Sequence, residues 1–210
     1  MNKEGQMRAR IGWLLVGTMA LGSVALAQER PQQRQQQARM HQLPEVAAQD
    51  LQASLAHLHH INQSEIELGK LAQQKASTQA ARQFGERMVR EHQTADDQLM
   101  AFAKQQGIEV GKHEGVNDAQ KKILSAQQAT REMLQALEGP SFDEHYLASQ
   151  LASHDHALHV ARTARQRFPA LAPLMDKYVP LLQSHRSEAY EALGQMQPRR
   201  QARTPPPPRR

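Results

Sequence analysis

The chain has 210 residues, is 39% hydrophobic and only 4% aromatic, and contains no cysteine. So few aromatics, with a mean hydropathy of −0.71, exclude a β-sandwich or barrel built on Val, Ile, Tyr and Phe at period two. The missing thiols exclude disulfides, thiolate catalysis, zinc ribbons and iron–sulfur clusters, and a net charge of +5 favours nucleic acid only until it is divided by region.

The first ten residues hold Lys3, Arg8 and Arg10 against Glu4, and an apolar stretch follows from Ile11 to Leu26. It closes on Ala25-Leu26-Ala27, the small-x-small pattern that a signal peptidase reads. Sixteen residues with three glycines fall short of the ~20 apolar residues of a membrane span. Residues 1–27 are therefore expected to be a cleaved secretory signal rather than an anchor. No cysteine follows to carry a lipid, and Arg8 and Arg10 are not adjacent as a twin-arginine signal requires. The mature chain is expected in the periplasm, with the outer membrane as a place of association.

Residues 28–43 are rich in Gln and Arg without apolar periodicity, and are expected to form a disordered linker. Residues 198–210 are expected to be a disordered Pro/Arg-rich tail ending in a polyproline stub, Pro205 to Pro208. Signal, linker and tail hold three, three and five basic residues, which leaves 15 basic against 19 acidic residues in 44–197. The folding part is thus mildly acidic. No nucleic-acid partner is expected for it. The basic tail is expected either to touch an anionic envelope surface or to remain solvated without a partner.

Between the tails the spacing of apolar residues is helical. The first helix starts at Pro44 or Asp50 and runs to Gln74, with Leu51, Leu55, Leu58, Ile61, Glu65, Leu68 and Ala72 along one face. Ser77 is expected to cap the second, whose seam is Ala81, Phe84, Met88, His92, Ala95, Leu99 and Phe102, ending near Gln106. Three glycines make residues 107–116 a loop. Asn117 with Gln120 opens a third helix through Ile123, Leu124 and Leu134 to Leu137, closed by Gly139-Pro140. A capping box of Ser141 and Glu144 opens the fourth, through Leu147, Leu151, His154, Leu158 and Ala161 to Arg167. After Pro169 and Pro173 comes the last, with Leu174, Tyr178, Leu182, His185, Ala189 and Leu193, kinked at Pro180. The expected fold is all-α, an antiparallel four-helix bundle over 44–197 with one additional shorter helix.

Four seam positions that periodicity makes apolar are instead Glu65, His92, His154 and His185, one from each of four helices. A carboxylate and three imidazoles inside a bundle suit a divalent transition metal. The competing expectation is that each ring packs in the core and donates to a carbonyl or to Glu65. The pairs His57/His60 and His156/His159 each share a helix face, where a metal could bind adventitiously, but a solvated face is expected for them and for His59. Met88 and Met100 are expected to fill core. The chain has no Gly-rich phosphate loop, no HExxH and no Ser/His/Asp pattern.

Asn62 to Ala72, reading NQSEIELGKLA, resembles the opening motif of the exported bacterial domain-of-unknown-function 4142 proteins, often labelled outer-membrane proteins. Phe84 to His92, Phe142 to His154 and Leu181 to His185 resemble its later motifs, in order. The resemblance implies a ferritin-like helical bundle and brings no activity with it. Di-iron bundles carry Glu-x-x-His pairs. None occurs here: Val89 precedes His92 by three and Leu151 precedes His154 by three. The leading expectation is an exported, non-enzymatic bundle of the cell envelope that binds or shields. Its rival is a metal-binding or metal-dependent redox protein using Glu65, His92, His154 and His185.

Overall fold

The computed structural model describes residues 31–196, with side chains from Ala48 onward. The signal at 1–27 and the tail at 198–210 lie outside the described residues. The described chain forms α1 (Pro31–Lys75), α2 (Gln79–Gln105), α3 (Asp118–Ala136), α4 (Gly139–Arg167), a 3₁₀ turn (Pro169–Leu171) and α5 (Ala172–Met196). Among the described residues no helix is long and apolar enough to cross a membrane. The described residues up to His41 fall in a separate unit, and the packing below belongs to the unit that begins at Gln42.

Several ends differ from expectation, each for a local reason. α1 begins at Pro31, because Gln, Arg and Ala are good helix formers even without an apolar face, so the stretch taken for a linker carries helical backbone. Thr78, not Ser77, caps α2, its hydroxyl accepting from the Ala81 N–H at 3.3 Å. Ser77 is held by Asp143 instead. Asn117 caps α3 as its sequence implies, accepting from the Gln120 N–H at 3.0 Å. Gly139-Pro140 opens α4 rather than closing α3, which already ends at Ala136. Proline suits a first turn, where its missing N–H has no partner to lose. Glu138 therefore takes the cap position, without a side-chain bond, and the Ser141/Glu144 box does not form. Pro180 lies inside α5, which continues through it.

The core is two apolar clusters. One holds Leu55, Leu58, Leu99, Ala161, Met175 and Leu182, and the other Ala72, Phe84, Met88, Phe142, Tyr146 and Ala189. α1 and α5 pass from the first cluster to the second, whereas α2 and α4 pass from the second to the first. Consecutive helices α1/α2 and α4/α5 are thus antiparallel, and α2 and α4 share a direction because α3 carries the chain back between them. One long crossover of this kind is general in ferritin-like bundles. α3 buries only Leu134; Ile123, expected on its seam, is 37% exposed, and Met100, expected in the core, is 38% exposed. Both sit on faces that the four principal helices do not need.

α1 and α2 approach through glycine. A Cβ on Gly85 would lie 2.7 Å from the Ala72 Cβ and 2.8 Å from the Gly69 carbonyl oxygen. Alanine would gain about 0.5–1 kcal/mol of helix propensity at an open site. Here it forces two backbones apart, an overpacking cost of about 1–3 kcal/mol. Gly85→Ala is expected to lower the urea midpoint with helix content intact, and a midpoint at or above wild type would refute this packing account.

Candidate metal centre

Each principal helix carries polar residues at the level between its two apolar contacts. α1 supplies Asn62 and Glu65, α2 His92 and Asp96, α4 Gln150 and His154, and α5 His185, all buried. Tyr178, at the edge of the first cluster, and Glu91, beside His92, reach the same layer through their hydrogen bonds.

Of the four residues singled out, three come together. One ring nitrogen from each of His92, His154 and His185 lies within 4.8 Å of the others, and the rings are 5.2–5.7 Å apart between centroids. Glu65 is buried in the same layer but is not one of that set. Its Oε1 accepts from the Ser153 hydroxyl at 2.7 Å, and its Oε2 has no partner. The carboxylate touching a seam histidine is Glu91, whose Oε2 lies 2.7 Å from His185 Nε2. This corrects the expected Glu65 contact. Glu91 leaves the α2 seam by one residue, so periodicity gives no sign of it.

The outer partner of each ring sets its tautomer. The Gln150 carbonyl lies 2.9 Å from His154 Nδ1 and can only accept, so that nitrogen carries the proton. The Glu91 carboxylate imposes the same on His185 Nε2. His92 Nδ1 donates to Asn62 Oδ1 at 3.0 Å. The amide is oriented by the Tyr178 hydroxyl, which donates to the same oxygen at 2.6 Å, and by its own Nδ2 donating to Asp96 at 3.4 Å. Three outer protons leave three inner lone pairs, on His92 Nε2, His154 Nε2 and His185 Nδ1. His154 Nε2 and His185 Nδ1 are 3.3 Å apart, and fully buried His92 Nε2 has no hydrogen-bond partner.

Burial keeps His92 and His185 neutral. Burial pushes His92 well below the ordinary histidine range, helped by its two histidine neighbours. Burial likewise lowers His185 to about 4, against the raising hydrogen bond to Glu91 and with further lowering from His154 and Arg87. Burial pushes Glu91 upward, but the His185 hydrogen bond, with Arg87 and Arg90 near, brings it below the usual carboxylate range. A neutral imidazole backed by a carboxylate or carbonyl is the form that ligates metals. Two nitrogens at about 2.0–2.1 Å from one tetrahedral zinc stand about 3.3 Å apart, which is the His154–His185 spacing.

A cleft of about 320 Å³ reaches this layer from outside, apolar along Leu99, Leu174 and Leu181 and ending on Asn62, Glu91 and Tyr178. Periodicity places Tyr178 on its seam but gives no sign of the partners Asn62 and Gln150, although Asn62 precedes Glu65 by three and Gln150 precedes His154 by four on the same helix faces. The second histidine group is only partly solvated: His57, His60 and His156 are half-buried and gather with His113 from the loop between α2 and α3. Burial, then the charges of His113, His156 and His60, push His57 down to about 3. His59 donates to Asp96.

No curated protein and no solved structure matches the chain. A family model described as a domain of unknown function matches residues 29–192, a span that contains the three histidines, both glycines of the α1–α2 contact, all of α1, α2 and α4, and α5 up to Ala192. By that match the chain belongs to the DUF4142 family.

Proposed function

We propose that this chain is an exported envelope protein that holds one divalent transition metal on His92 Nε2, His154 Nε2 and His185 Nδ1, and acts by binding rather than by turnover. The observation that carries this reading is the inward convergence of three lone pairs whose outer nitrogens are all committed as donors. Such a set repels itself unless a cation lies at its centre, and burial makes a proton the poorer choice. Three imidazoles with no thiolate suit zinc or copper(II). All three rings are 0% exposed, which favours retention of an ion over exchange. Export rests on the sequence of residues 1–27.

Untagged chain incubated with Zn²⁺ or Cu²⁺ and then passed through gel filtration is expected to retain about one ion per chain by elemental analysis. His92→Ala and His154→Ala each abolish retention, whereas Glu65→Gln keeps it. No retained metal in wild type, or full retention in the His92→Ala/His154→Ala double variant, overturns the reading.

A further inference from the structure

We propose a second metal site on the flank of the bundle, reachable from solvent, in which His57 and His156 hold a divalent transition metal and His113 supplies a third imidazole. His57 comes from α1 and His156 from α4, and their Nε2 atoms face each other at 3.2 Å. That separation is close to the ~3.3 Å between two nitrogens on one tetrahedral zinc. Neither ring has another hydrogen-bond partner among the described residues, unlike the core histidines, so both Nε2 atoms can present lone pairs while their Nδ1 protons face outward. Only one hydrogen fits between the two Nε2 atoms in the metal-free protein, and a cation replaces it without moving either helix.

The third imidazole is placed by the chain's most glycine-rich segment. His113 lies flat on His57, with centroids 4.1 Å apart and planes 5° from parallel. Gly111 and Gly115 flank it, and a Cβ on Gly111 would meet nothing within 4 Å. The backbone thus has room on the Gly111 side to turn the ring from stacking toward coordination, while Gly115, at φ +76°, is packed on the first turn of α3, where a Cβ would lie 3.1 Å from the Lys121 nitrogen. His57 and His156 also line a cavity of about 330 Å³, together with His159. The one cation on that lining, Arg167, is paired with Asp50. The site shares no ligand with the core centre.

The test is a calorimetric titration of the untagged full chain with Zn²⁺, repeated with Cu²⁺. The expected result is two equivalents, the second weaker than the first by at least tenfold because its ligands are half-solvated and less preorganised. His57→Gln, His156→Gln and His113→Gln each weaken the second equivalent by at least about tenfold and leave the first intact, while His154→Gln does the reverse. Helicity by circular dichroism shows that each variant is folded. A single equivalent in wild type that His154→Gln leaves intact and the His57→Gln/His156→Gln pair removes would refute the core centre and leave this site standing. A single equivalent in wild type that His154→Gln removes, or a second that survives the His57→Gln/His156→Gln pair, overturns the flank site.

Discussion

Acidifying the metal-free protein from pH 7.5 to 5 is expected to cost about 4 kcal/mol of folding stability through His92 and His185 alone, out of a typical margin of ~5–15 kcal/mol, and the lowered His57, His113 and His156 add to that loss. The loss arises because His92 and His185 are neutral in the fold and protonate readily once unfolded. Their folded pKa values lie below the unfolded ~6.5, His185 at about 4 and His92 well below the ordinary range. Their full contribution is present above pH 6.5 and is lost as the pH falls from there toward the folded values, since the unfolded chain then binds more protons. Each such imidazole contributes about 2 kcal/mol of loss by pH 5.

The groups facing the two rings do not reverse that sign. From α2, Glu91 favours a charged His185 and Arg87 opposes it; from α4, His154 opposes it. His92 meets neutral Asn62 from α1, the two other rings and, edge-on, the ring of Tyr178. Urea midpoints with a chelator present measure the effect, and His185→Gln should remove about 2 kcal/mol of the loss over that interval. A wild-type midpoint that is flat or rises on acidification would show that the rings are not held neutral.

The next largest effect is expected at Asp143, a residue with no place on any apolar seam. Its carboxylate is fully buried near the start of α4. There it accepts from the Ser77 N–H at 2.9 Å, the Ser77 hydroxyl at 2.9 Å and the Thr78 N–H at 2.7 Å. Those donors belong to the turn between α1 and α2, so one side chain ties the first helical hairpin to the second half of the bundle. Hydrogen bonds to a charged group contribute about 1.5–3 kcal/mol each, and stranded buried donors cost about 1–3 kcal/mol. Asp143→Ala should therefore destabilise by about 3–5 kcal/mol. Asp143→Asn keeps one acceptor and should lose roughly half as much. Equal midpoints for wild type and Asp143→Ala would show that the turn is held by other means.

How far the sequence discloses this structure depends on the range of the interaction. The apolar stripes of Leu55, Leu58 and Ile61, or of Phe84, Met88 and Leu99, need only 3.6-residue periodicity, and those helices stand where their spacing puts them. Polar breaks in the same stripes mark His92, His154 and His185 for the same reason. Glu91, Asn62 and Asp143 act across the bundle, at sequence separations of 94, 30 and 66 residues from the groups they meet. No local pattern encodes such partners. Caps lie between these extremes: Asn117 is legible because its partner is three residues away, whereas Ser77 is claimed by Asp143 and cedes the cap to Thr78.

The division of the core into two apolar clusters with a polar layer between them also bears on helix alignment. Stripes of Leu and Ala alone tolerate a slip of one turn, about 5.4 Å along the axis, because one small apolar side chain replaces another. In this bundle a one-turn slip of α5 would bring Leu182 or Ala189 to the level of the imidazoles. His185 would move in among aliphatic side chains, away from Glu91. Every mispaired outer N–H would be stranded at a cost of about 1–3 kcal/mol, and the same holds for α2 and α4 with their own histidines. The layer thus serves as an index mark that only one vertical alignment of the four helices satisfies. A redesigned layer of leucines would gain burial but lose that mark, leaving several offsets close in energy and a core that interconverts among them.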